Sequence, residues 1–268
     1  MSQATISKGR RMSTAHCYLE PIRNRPNLRI QTDALTEALL LDGKRCTGVR
    51  YTVGGTVREA HATREVVVSG GSINSPQLLE LSGIGQPERL QGLGIAVNHA
   101  LPGVGENLRD HFAPRTRWSI GAKGYTFNDR GRGLGLIAQV FKYALFGKGM
   151  FGMVAAPLRA FVRSREGLEA PDLLLGWVPM LYESNPAPKI SSQSGMTCYA
   201  HPMRPGGGGS IHVTSSDPRT QPAIDFNFLS AQVDADLTVI AVRIARSIMT
   251  APALADLQVT ELAPGAAL

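Results

Sequence analysis

Two short stretches of this 268-residue sequence combine residue types that can do chemistry. Gly70 and Gly71 follow three consecutive valines, Val66, Val67 and Val68, with Ser69 between. A glycine pair permits positive φ and lets a ligand come against the main chain with no Cβ in the way. A helix starting just beyond it would offer free backbone N–H groups to the phosphates of a nucleotide cofactor. The same pair also serves as a plain strand-to-helix turn. The second stretch is Asp110-His111, an imidazole beside a carboxylate, which is one way to build a tuned acid/base pair. Adjacent side chains tend to point apart, so a structural role is the preferred reading for this pair. His16, His61 and His99 stand in no partner pattern and read as surface or packed residues. Cys17, Cys46 and Cys198 are odd in number, far apart and without metal-ligand spacing, which points to neither a disulfide framework nor a zinc site.

The elements that must position these residues can be read from periodicity. Val66–Val68 form a continuous β-branched run, the pattern of a strand buried on both faces. Ser75 then offers an N-cap with Pro76 at the first helical position, Leu78, Leu79 and Leu81 give the apolar face, and Gly83 supplies a left-handed end. Upstream, Ser13 caps a short helix broken by Pro21, and Asn27 to Ile30 begins a strand. Asp42-Gly43 and Gly54-Gly55 are hairpin signals around Thr47–Val53, which predicts a small antiparallel meander leading into the valine strand. Gln86 to Phe112 reads as a short helix and then a loop dense in glycine and proline.

Beyond Phe112, Arg115–Ile120, Ala160–Ser164, Pro171–Leu175, Met196–His201 and Ser210–Ser216 are strand candidates. Gly121–Gly135 reads as a connector. Leu136–Phe146 has helical spacing and is expected to pack on a sheet; an amphipathic helix over a site is the other reading. Gly206–Gly209 has no following Lys-Ser/Thr helix start, so it is read as a wide hairpin turn rather than a phosphate loop. The last strong element is a helix from about Gln232 to Met249, with Leu237, Ile240, Ala241, Ile244 and Ile248 on one face. Its acids come early and its arginines late, in agreement with the macrodipole.

The string Gly71-Ser72-x-x-Ser75-Pro76-x-Leu78-Leu79-x-x-Ser82-Gly83-Ile84-Gly85 resembles the second signature of the glucose-methanol-choline (GMC) oxidoreductases. Further segments are similar to the same family in the same order. They include Gly9, Arg11 and Ser13, then Tyr18-Leu19 and Arg25-Pro26-Asn27-Leu28. Leu101-Pro102-Gly103-Val104-Gly105-x-Asn107-Leu108-x-Asp110-His111 follows, and then the run from Gly209 to Asn227. The resemblance implies an α/β fold (α+β overall): a partial FAD-binding domain over residues 1–114, then a substrate-binding domain over 115–268 with an antiparallel sheet flanked by helices. It implies FAD as cofactor, a small-molecule alcohol as substrate, and cofactor-binding roles for Thr36, Ser69, Gly70, Gly71, Asp110 and His111. Thr36 stands where the family has a valine whose main chain meets the adenine, a contact that tolerates the change.

The family's opening Gly-x-Gly-x-x-Gly turn and its C-terminal catalytic histidine segment have no counterpart in this sequence, so no catalytic residue is assigned to it. The expectation is a central fragment of a choline dehydrogenase-like enzyme, inactive alone and completed by N- and C-terminal segments of the same enzyme. The alternative is a non-catalytic remnant or interaction module of the same fold. Composition agrees with a globular protein, at 43% hydrophobic and 18% charged residues. The net charge of +7 rests on scattered Lys and Arg with no basic run, so nucleic acid is not an expected partner; with no Cys/His ligand spacing, neither is a metal. The most apolar stretch, Leu134–Phe146, is too short to span a bilayer, and the cytoplasm is the expected compartment.

Overall fold

The computed structural model describes residues 5–183 and 189–265. After a short hairpin (Ile6–Ser7 with Arg10–Arg11) and short helical turns at Ala15–Leu19 and Glu20–Ile22, the chain forms strands β1 (Ala34–Asp42), β2 (Arg45–Val53) and β3 (Thr56–His61), then helices α1 (Gly71–Leu81) and α2 (Pro87–Gly92). Strands β4 (Glu106–Leu108) and β5 (Arg115–Ile120) and helices α3 (Phe127–Arg130) and α4 (Gly133–Phe146) follow. Strands β6 (Leu158–Val162), β7 (Leu173–Val178), β8 (Gly195–Pro202), β9 (Gly209–His212) and β10 (Ala223–Asp225) precede helix α5 (Gln232–Met249) and strand β11 (Val259–Ala263). They group into two compact units, each discontinuous in sequence. One comprises Arg29–Asp110 and Pro205–Ala231; the other comprises Met1–Leu28, His111–Arg204 and Gln232–Leu268.

In the first unit β1, β2 and β3 form the expected antiparallel meander, turned at Gly43 (φ +56°) and at Gly54 and Gly55 (φ +56° and +79°). A second three-stranded sheet has the order β10-β9-β4. Helix α1 contacts both β1 and β9. The end of α1 is tied to the meander by Ser82, whose Oγ donates to the Leu78 carbonyl at 2.6 Å and accepts from the Leu39 N–H at 2.8 Å. Gly83 follows at φ +75°, and a Cβ there would stand 2.2 Å from the Ala96 carbonyl oxygen, so only glycine fits this helix end.

The second unit is built on a five-stranded antiparallel sheet of order β6-β7-β8-β5-β11, with α5 across one face. Trp118, Leu173, Leu175, Trp177, Cys198 and Ala200 from the strands meet Ala241, Ala245 and Met249 of α5 in its core. Fully burying a leucine-sized side chain stabilises the fold by about 1.5–3 kcal/mol. The indole N–H groups are satisfied within that core, Trp118 Nε1 by Thr116 Oγ1 at 2.9 Å and Trp177 Nε1 by Met249 Sδ at 3.2 Å. Arg246 of α5 binds Glu261 of β11 at 3.0 and 3.1 Å, which joins the helix to the edge strand.

Several expectations are corrected. Val66–Val68 is not a strand: no strand pairs with it among the described residues, and Val67 is 76% exposed. β-branched residues favour extended backbone, but only a hydrogen-bonded neighbour makes a strand. Helix α1 begins at Gly71 rather than after Ser75, so Pro76 lies inside it. Gly71 at φ +81° lets the chain turn into the helix five residues earlier, at the loss of the one bond Pro76 cannot return to the Ser72 carbonyl. Residues 27–30 are irregular and the first long strand starts at Ala34. Gly206–Gly209 closes no hairpin, because β8 and β9 belong to different sheets. Helix α4 packs on α3 and the turn at Met150–Gly152 rather than on a sheet, and leaves Leu134, Phe141, Leu145 and Phe146 exposed. Helical spacing identifies a helix without naming the surface it covers. Among the described residues no helix is long and apolar enough to cross a membrane.

Candidate functional site

The site is built around the N-terminal turn of α1. Gly70 stands at the N-cap position and no side chain caps the helix, so the first-turn N–H groups are presented without a side-chain acceptor. A Cβ on Gly71 would meet nothing within 4 Å, which leaves room for a ligand against the main chain at that point. A cleft of about 600 Å³ opens beside this turn, within the size range of small-molecule sites. Its walls include Thr36, Leu39 and Val49 from the meander, Val66 to Gly70 from the extended segment, and Gln77 and Arg219. A second cleft, about 340 Å³, is lined by Ser72 and Pro76 of α1 and by Gly105, Glu106, Asn107 and Arg109. The start of α1 therefore contributes Gly70 to one cleft and Ser72 to the other.

The expected cofactor-binding residues are brought together only in part. Thr36, Ser69 and Gly70 line the larger cleft, and Gly71 adjoins them. Asp110 ends the first segment of the first unit and lines neither of these clefts, whereas His111 belongs to the second unit. There the His111 ring stacks on His201 at 4.1 Å and its Nε2 lies 3.1 Å from the Met203 carbonyl oxygen.

Charge at the larger cleft is set by Arg219, which holds Asp217 in a bidentate pair at 2.9 Å for both bonds. The hydrogen bond from that guanidinium lowers the Asp217 pKa, and the same bond raises that of Arg219. Cys198, buried in the core of the second unit, has its thiol pushed up to about 12 by burial, which removes it as a nucleophile at neutral pH. The cysteines are free among the described residues. No group of three His, Cys, Asp or Glu among the described residues could hold a metal ion.

Sequence reasoning missed a buried polar cluster directly behind α1. Glu80 is fully buried: its Oε1 lies 2.7 Å from His212 Nδ1, and its Oε2 accepts the Val213 N–H at 2.8 Å. The other ring nitrogen of His212 lies 3.1 Å from Glu106 Oε1, which also accepts from Gln86 Nε2 at 2.7 Å. For both ring contacts to be hydrogen bonds each nitrogen must donate, or a carboxyl must carry a proton. Gly105 makes the approach possible, since a Cβ there would stand 2.6 Å from the imidazole. The one local signal was an acid beside the leucines of α1; its partner is 132 residues away.

Residues 1–113 match the N-terminal sequence profile, and residues 205–267 the C-terminal profile, of the GMC oxidoreductases. These spans make up more than half of the chain, and the chain belongs to the GMC oxidoreductase family. It is 38% identical over 274 aligned residues to the oxygen-dependent choline dehydrogenase of Yersinia pestis (strain Pestoides F), covering 99% of this chain and 47% of that protein. It is 36% identical to the protein of the same name from Photobacterium profundum, over 98% of this chain and 46% of that one. The chain thus spans about half the length of the curated relatives it matches. Among solved structures, a formate oxidase superposes with a TM-score of 0.87 at 25% identity, over 97% of this chain and 50% of that one. An FAD-dependent oxidoreductase from Chaetomium thermophilum shares the fold, with a TM-score of 0.85 at 22% identity over 98% of this chain and 52% of that one.

Proposed function

We propose that this chain is part of an FAD-dependent oxidoreductase acting on the CH–OH group of an alcohol. The observation that carries the reading is the gathering of Thr36, Ser69 and Gly70 in one cleft beside the uncapped start of α1, in a chain of this family. The residues fit the cofactor: an open helix N-terminus suits a pyrophosphate, and the space beside Gly71 accepts a group that a side chain would displace. In this reading Thr36 meets the adenine through its main chain, and Ser69, Gly70 and Gly71 hold the neighbouring part of the dinucleotide. Asp110 and His111 complete the set by resemblance to the family. A bound flavin supplies the redox chemistry, accepting the hydride from the alcohol carbon.

The FAD-binding part, expected within residues 1–114, is then carried by the unit of Arg29–Asp110 and Pro205–Ala231, and the substrate-binding part, expected over 115–268, by the sheet unit. The free cysteines support a reducing compartment, and we assign the protein to the cytoplasm.

The test uses two substitutions at Gly71, whose φ of +81° matters to the choice. Asparagine tolerates positive φ and places bulk in the ligand's space, whereas valine adds backbone strain to the same bulk. Gly71→Asn is expected to keep the helix content of the protein and to weaken FAD binding by about tenfold or more, measured by equilibrium dialysis. Gly71→Val is expected to weaken it at least as much and to lower stability as well. Unchanged FAD affinity in Gly71→Asn would reduce the glycine pair to a turn.

A further inference from the structure

The face of the five-stranded sheet turned away from α5 carries a cationic cleft that the reading above leaves unused. Along β5, Thr116, Trp118 and Ile120 are buried, so the alternation of a strand places Arg115 and Arg117 on the opposite face. Arg117 sits in a row across three strands, opposite Thr197 of β8 on one side and Ala263 of β11 on the other. A cleft of about 340 Å³ opens over this row, lined by Arg115, Arg117, Tyr182, Thr197, Ala263 and Pro264.

Its polar chemistry has one sign. Among the described residues no carboxylate lines it and neither arginine takes part in an ion pair. The side chain of Arg115 makes no hydrogen bond there, and Arg117 makes a single long one, 3.5 Å from Nη1 to the Tyr182 carbonyl. Arg246 and Arg219, by contrast, each hold a carboxylate at 3.0 Å or less. Glu261, the acid of the adjoining strand, pairs with Trp118 in register and is engaged by Arg246 of α5, away from this cleft. Two guanidinium groups two residues apart on one strand face repel each other, and an oxyanion between them removes that repulsion while accepting their forked donors.

We propose that this cleft binds the oxyanion head, carboxylate or phosphate, of a small organic acid. Two unpaired guanidinium groups repel a cation such as choline and attract an anion, and the cleft is large enough for a molecule of a few heavy atoms.

The test titrates the chain separately with glycolate, glycerol 3-phosphate and choline, following the Nε–Hε signals of Arg115 and Arg117 in proton–nitrogen spectra and the heat of binding. Glycolate or glycerol 3-phosphate is expected to shift both signals, the stronger of the two identifying carboxylate or phosphate as the head group, and choline to shift neither. Arg115→Gln is on an exposed position, and Arg117→Lys keeps the charge but loses the fork. Each is expected to weaken anion binding by about tenfold or more with unchanged circular dichroism. Choline binding as tight as either anion, or anion binding unaffected by both substitutions, would overturn the proposal. FAD affinity measured on the same samples separates the two readings. Anion binding supports the cleft whether or not the chain by itself holds FAD, and FAD binding without anion binding removes the cleft alone.

Discussion

Glu80 and His212 show how much of this unit rests on single side chains. With both carboxylate oxygens of a fully buried Glu80 engaged, His212→Leu leaves one of them without its partner, and a buried polar group left unsatisfied costs about 1–3 kcal/mol. Replacing both partners with apolar residues removes the polar group together with its partner, so Glu80→Leu/His212→Leu is expected to be less destabilised than His212→Leu alone. Urea unfolding of the wild type, the single variant and the double variant decides the matter. Equal or greater loss in the double variant would mean that the ring and the carboxylate stabilise independently. This cluster lay outside what the sequence could show, because hydrogen bonding between residues 132 apart leaves no local pattern. Gly71 and Gly83 were legible at the same scale, since a positive φ at a turn or a close backbone approach leaves glycine as the residue that fits.

Among the elements, the short helix α3 carries a pH dependence of its own. Thr126 and Asp129 form a capping box, and Asp129 Oδ2 also accepts from Ser194 Oγ at 2.9 Å and from the Gly124 N–H at 3.0 Å. Burial by itself would raise the Asp129 pKa, but these hydrogen bonds from Ser194, Thr126 and Gly124 outweigh it and lower the pKa below 3.8. A carboxyl whose folded pKa is depressed stabilises the fold above its unfolded pKa, and that contribution is lost as pH falls through the folded value. Wild-type stability is therefore expected to fall more steeply than that of Asp129→Asn below about pH 4, the ordinary carboxylate range. Parallel acid titrations of the two proteins by circular dichroism check this, and superimposable curves would remove the role given to Asp129.

Helix α5 and the β1–β3 meander were readable because each has a strong period and clear punctuation, Pro252 after the helix and glycines at the hairpins. The valine run and the start of α1 were not. A strand depends on a partner elsewhere in the chain, and Ser75-Pro76 carries a serine-cap and proline start signature although the helix begins at Gly71. β11 also escaped notice, because its place at the edge of the sheet depends on β5, far upstream.

At the scale of the molecule, family membership and the local geometry of α1 support one proposal, that FAD meets this chain at Thr36 and at Ser69 to Gly71. Of the expected site residues, these four could be named from resemblance and were found at or beside one cleft, while Asp110 and His111 belong to different units. The most direct test is to complete the chain with the N- and C-terminal segments of the same enzyme, add FAD with this chain's residues nitrogen-15-labelled, and follow their backbone amide signals. The account predicts that the largest shifts fall on Thr36, Ser69, Gly70 and Gly71 and on the first-turn amides of α1, and that they saturate together. Shifts confined to other parts of the chain, or none at saturating FAD, would contradict it.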